Sequence, residues 1–198
     1  MSNNPTITDK DYRQWLKSLA LRYRQCQIKA AVKVNTEQLL FNLSLGKDIA
    51  ERSDENKYGT QFYAVLSRDL KDEIPNVEGL SESNIRYCKR FYQLYSKVIE
   101  NLPQVVEKLC GIPWGHHRLI IDRCSDNPQK AMFFVSQTLE NGWSRAVLLN
   151  WIDTNLYERQ GNAITNFKSS LPAPDSDLAQ EITKDPYNFT FAGGQRQV

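Results

Sequence analysis

Arg86, Lys89, Arg90 and Lys97 recur at intervals that gather them on one side of a helix, where four cations can meet phosphates. The segment opens at Gly79-Leu80, takes Ser81 as its capping residue, and reads as a helix of about 17 residues, roughly 25 Å long. At about 100° per residue, Ile85, Cys88, Phe91, Tyr92, Tyr95 and Ile99 gather on the opposite side, with Leu94 and Val98 at its margin. Past Glu82 the polar side carries no acid until Glu100. Such a helix suits a polyanion, although a basic face is also an ordinary solvated one. Arg13, Lys17 and Arg24 belong to a second basic zone with Lys10, Arg22, Lys29 and Lys33, opposed only by Asp9 and Asp11. Arg145 opens a later helix and is a candidate for insertion into a DNA groove.

Other chemistry is poorly provided for. His116 and His117 are the only histidines. Neighbours on a helix diverge by about 100°, so the two cannot share a metal, and packing beside Trp114 is the expectation. The glycines are too scattered for a phosphate-binding loop, and no Ser or Cys nucleophile motif is present. The carboxylate pairs Asp48/Glu51, Asp54/Glu55 and Asp72/Glu73 sit at helix ends or in loops, where solvated acids are routine. A magnesium-dependent nuclease of the PD-(D/E)XK type needs an acid after a turn, then an acid-x-Lys triplet on a strand. Pro174-Asp175 with Glu181-Ile182-Thr183-Lys184 has one residue too many, and Asp69-Leu70-Lys71 falls on a helix. Neither supplies an active site, so no catalytic residue, metal or cofactor is expected.

The elements that must position the cations are helical. Tyr12, Trp15, Leu16, Leu19, Tyr23, Cys26 and Ala30 form an apolar stripe after Thr8, a cap for a helix starting at Asp9. Asn35-Thr36-Glu37 either starts a second helix or lies within one long one, continuing through Leu39, Leu40, Leu43, Ile49 and Ala50 to about Arg52. Leu21 and Ile28 add a weaker apolar line along which two chains could pair; folding back is the equally simple alternative. A polar loop over Ser53–Gly59 precedes a helix that opens at Thr60 and ends before Pro75. Asn101–Pro113 reads as broken chain. Helices then follow at Trp114–Arg123, from Pro128 to the Asn141-Gly142 stop, and from Ser144 to about Arg159. No stretch alternates like a strand.

The fold expected is all-α: a multi-helix domain with helix-turn-helix-like pairs, a long N-terminal helix or helical hairpin, and an extended C-terminal tail. Residues 1–160 make up the helical domain and 161–198 a linker-like tail. A formal charge of +2 over 198 residues excludes a uniformly basic chromatin-type protein. The start has no apolar leader, no stretch is apolar enough to span a membrane, and Cys26 and Cys88 sit on apolar faces as buried thiols. A reducing cytoplasm is the compartment expected.

The chain resembles the N-terminal domain of the YhcG-like family of bacterial PD-(D/E)XK nuclease proteins. The landmarks, in order, are Val34-Asn35-Thr36-Glu37, Leu45-Gly46-Lys47-Asp48-Ile49, Tyr58-Gly59, Leu66-Ser67-Arg68-Asp69-Leu70, Gly79-Leu80-Ser81 and Asn84-Ile85, then Arg90-Phe91-Tyr92 and Tyr95. Ile112-Pro113-Trp114-Gly115-His116-His117, Gly142-Trp143-Ser144-Arg145, Leu156-Tyr157-Glu158-Arg159 and Lys184-Asp185-Pro186-Tyr187 follow. Leu43-Ser44-Leu45 departs from the aromatic pair that the family tends to place ahead of Gly46. In that family the Lys-Asp-Pro-Tyr segment leads into the nuclease domain, and this sequence ends shortly after it. The resemblance implies a recognition or assembly half without the catalytic carboxylates. Two functions remain open: a DNA-binding module using the cations above, or a module that dimerises and holds a nuclease or restriction-modification partner.

Overall fold

The computed structural model describes residues 10–52 and 59–160. The Thr8 cap, most of the polar loop and the tail from 161 onward lie outside the described residues. Within them the chain forms eight α-helices, and no strand is present.

Helix α1 runs without a break from Lys10 to Arg52, 43 residues and about 65 Å. This resolves the choice between one helix and a hairpin. No proline interrupts the run, and the Thr36 hydroxyl donates to the Val32 carbonyl at 3.1 Å, a bond made inside a continuing helix. The second half of α1 buries Asn35, Gln38, Leu39, Asn42, Gly46 and Ile49. Gly46 is required there, because a Cβ would overlap the carbonyl oxygen of Cys88 on the facing helix.

After a 3₁₀ turn at Gly59–Gln61, helix α2 spans Phe62–Glu73 and stops ahead of Pro75 as expected. Helix α3 spans Glu82–Asn101, with Ser81 accepting from the Asn84 amide at 3.3 Å. It packs along α1 and buries Ile85, Cys88, Phe91, Leu94 and Tyr95. Leu94 is therefore central rather than marginal, while Tyr92 is half-buried. The stretch read as broken contains a short helix α4, Val105–Cys110. Helices α5, Trp114–Cys124, and α6, Pro128–Asn141, follow. Asn127 caps α6, and Gly142, at φ 62, ends it in the left-handed region. Ser144 caps α7, Arg145–Asp153. The expected continuation to Arg159 is interrupted at Asn155, where φ is 54, and resumes as α8, Leu156–Arg159. Asparagine tolerates that conformation better than most residues, so the break is local chemistry that hydrophobic periodicity does not report.

Buried polar side chains tie these helices together. Asn35 donates to the carbonyls of Cys110 and Ile112 at 3.0 and 3.3 Å, satisfying the end of α4. Ser67 donates to the Leu80 carbonyl at 2.6 Å, and Trp114 donates its indole N–H to Asn84 at 2.7 Å. Phe91 packs edge-on against Tyr95 and Trp114, with ring centroids 5.3 Å apart in both pairs. Each bond joins residues 13 to 77 positions apart, so together they set how the helices sit.

Candidate nucleic-acid interface

The cations of α3 lie on its polar side, but Arg86, Arg90 and Lys89 are already engaged. Arg86 bonds Glu82 at 2.7 Å, and its guanidinium stacks 4.0 Å from the centre of the Tyr63 ring. Arg90 reaches across to α5, where it donates to Asp122 at 2.8 Å and to the Ile121 carbonyl at 3.1 Å. Tyr87 donates to the other oxygen of Asp122 at 2.7 Å, and Arg118 lies 4.3 Å over the Tyr87 ring. These side chains join α2, α3 and α5. A phosphate would have to displace an acid to use Arg86 or Arg90. Lys89 is half-buried and has a partner of its own, whereas Lys97 is exposed. Local periodicity cannot reveal Asp122 as the partner of Arg90, since the two are 32 residues apart.

The first half of α1 has the opposite character. Residues 10–27 touch the rest of the domain so little that all but Tyr12 are exposed. At about 100° per residue, Lys10, Arg13, Lys17 and Arg24 fall within one narrow arc. None of the four forms an ion pair among the described residues. The result is an unneutralised basic stripe along about 20 Å of helix. The apolar stripe of this half is largely exposed, with Trp15 at 53%, Leu19 at 41% and Tyr23 at 65% of full accessibility. Cys26, expected to be buried, is exposed on the same helix; no described helix packs there to cover it.

Arg145 is exposed at the start of α7, beside an open groove lined by Leu119, Ser144, Ala146 and Leu149. Helices α6 and α7 are joined only by Gly142-Trp143-Ser144, so the groove borders a helix, tight turn and helix.

The histidines are structural, as expected from packing. Both are fully buried, His116 bonding the Trp143 carbonyl at 2.9 Å and His117 the Leu109 carbonyl at 2.8 Å. Burial pushes the His117 imidazole down to about 3, against the smaller upward pull of the Leu109 carbonyl. It is neutral near pH 7 and poorly suited to proton transfer. Burial likewise raises the Cys88 thiol to about 12 and those of Cys110 and Cys124 to about 11, which disfavours the nucleophilic thiolate.

No group of three metal-ligating side chains converges among the described residues. Asp69-Leu70-Lys71 is confirmed on a helix, where Asp69 bonds the neighbouring Arg68 at 2.9 Å. The Pro174-Asp175 and Glu181–Lys184 segments lie outside the described residues. No helix among them is long and apolar enough to cross a membrane.

No curated protein and no solved structure matches the chain. The model of the DUF1016 N-terminal domain matches residues 18–159, which takes in most of α1 and every helix from α2 to α8, so the chain belongs to this family, the N-terminal domain of the YhcG-like proteins.

Proposed function

We propose that this domain is the DNA-contacting part of a nuclease-type protein, and that its main phosphate contacts come from Arg13, Lys17 and Arg24, with Lys10 in line. The single observation that supports this is the basic stripe on the projecting half of α1. A cation that no acid neutralises and no helix covers can release counterions when it meets a phosphate, whereas Arg86 and Arg90 must first break internal bonds. Arg145 supplies a second contact from the start of α7, where an exposed guanidinium can reach a base edge or a phosphate. Lys97 adds a peripheral contact on α3. Bond cleavage is assigned to a nuclease domain outside this module.

The test is duplex binding measured across a salt series, comparing the parent protein with Arg13→Ala/Lys17→Ala/Arg24→Ala and with Arg86→Ala/Arg90→Ala. The first triple variant should bind weakly and show a shallower salt dependence. The second variant should retain most of its affinity. Parent binding that ignores salt would remove the reading altogether, and equal losses in the two variants would remove the residue assignment.

A further inference from the structure

The apolar stripe on the first half of α1, exposed except at the half-buried Tyr12, follows a stricter rule than helical amphipathicity requires. Tyr12, Leu16, Leu19, Tyr23, Cys26 and Ala30 are spaced 4, 3, 4, 3 and 4 residues apart, the heptad alternation of a two-stranded seam. A helix merely resting on a globular body follows a period of 3.6, which drifts by about 20° per heptad from such a line. From Leu16 to Ala30 the seam is exposed, and the helix is continuous throughout it. Among the described residues no helix packs over the seam. At about 100° per residue, the seam lies about 140° around the axis from the face that Asn35, Leu39, Asn42, Gly46 and Ile49 bury against α3 and α4.

We infer that the occupant of this seam is a second copy of the chain, paired parallel and in register. The flanking residues select both copy and direction. In heptad terms Leu16, Tyr23 and Ala30 take the a positions and Tyr12, Leu19 and Cys26 the d positions. A parallel pair then sets Trp15 against Ala20, Arg22 against Gln27 and Lys29 against Val34 of the second copy, with no like charges opposed. An antiparallel pair over the same seam would set Arg22 against itself. The seam ends by the same logic, because Lys33 and Glu37 take the next two core positions and would meet their own copies. Placing the bodies away from the seam leaves room for both at the same end of the pair. Lys10, Lys17 and Arg24 fall on outer heptad positions seven residues apart, so pairing leaves them exposed. The weaker Leu21–Ile28 line also lies on the outside and is not the pairing face.

Parallel pairing makes one sharp geometric demand: Cys26 must face Cys26 of the second copy. It is the exposed cysteine of the four, the other three being buried. The experiment is mild oxidation of the full chain, read on a non-reducing gel, with light scattering over a concentration and salt series. The expected result is a disulfide-linked dimer that Cys26→Ser abolishes and Leu19→Asp suppresses at least tenfold, with the Leu19→Asp protein still fully helical. Pairing should tighten as salt rises, since each helix is strongly basic, while duplex binding should weaken. The two readings can therefore fail separately. A dimer without the Cys26 link would overturn the parallel arrangement. A link formed equally by Leu19→Asp would be collisional and would count against pairing. A protein that stays monomeric at high concentration, or takes up an acidic amphipathic peptide in place of itself, would defeat the proposal.

Discussion

One unbroken helix contains two halves that differ in what covers them. The first half of α1 carries Trp15, Leu16, Leu19 and Tyr23, all exposed; the second half buries Asn35, Gln38 and Asn42 along with Leu39 and Ile49. Large apolar side chains therefore stand in solvent on the first half, while side-chain amides enter the core on the second. The difference is the neighbour: α3 and α4 line the second half, and Asn35 is buried because two carbonyls at the end of α4 accept its amide. A polar residue can enter a core when it is paired, and an apolar one stays outside it when nothing lies opposite.

The contrast breaks most severely at Gly46. Gly46→Ala should cost about 3 kcal/mol or more, because the clash is with backbone and not with a side chain that can swing away. Chemical denaturation measures it, and a variant as stable as the parent would mean that α1 and α3 are not in close contact. Leu39→Ala, a fully buried site on the same half, should cost about 2–5 kcal/mol, whereas Leu21→Ala on the free half should change stability by less than about 0.5 kcal/mol.

Removing Arg13, Lys17 and Arg24 together should leave the melting temperature unchanged and lower the magnitude of the salt slope of duplex binding by about 2.7, at about 0.9 per phosphate contact. If Arg86→Ala/Arg90→Ala lowers the slope as much, the distinction between engaged and free cations is wrong. Arg90→Ala alone should instead loosen the contact between α3 and α5 by at most about 1 kcal/mol, since its pair with Asp122 is over 40% exposed on both sides.

Acid sharpens the core side of the comparison. His117 is held neutral in the folded protein with its value lowered to about 3, while the unfolded chain titrates near 6.5. The unfolded state therefore binds the extra proton between these values. The histidine's contribution is fully present above about pH 6.5 and falls by up to about 1.4 kcal/mol per pH unit on the way down. Replacing His117 with Asn should flatten that slope in urea titrations run from pH 7 to pH 4; an unchanged slope would place the titration elsewhere.

Much of the architecture is legible in the sequence. Ser81, Ser144, Pro128 and Gly142 act where their chemistry acts locally, capping or ending helices, so the boundaries they mark were found. The break at Asn155 and the short helix at Val105–Cys110 were not found, because one rests on a single left-handed residue and the other is too short for a clear period. The landmarks of the family resemblance turn out to be joints as much as surface. Asn35, Gly46, Ser67, Asn84, Trp114, His116 and His117 bond or abut other helices or the turns between them.

The candidate site divides the same way. That Arg86, Lys89, Arg90, Lys97, Arg13, Lys17 and Arg24 lie on helical faces was determined by spacing alone, since the α-helix repeats every 3.6 residues whatever surrounds it. Which of those cations remain available was decided only by tertiary structure. Asp122 reaches Arg90 through a fold that closes 32 residues of chain, and among the described residues nothing closes onto Arg13 or Arg24. Local geometry is written in consecutive residues; neutralisation and burial depend on what arrives from elsewhere.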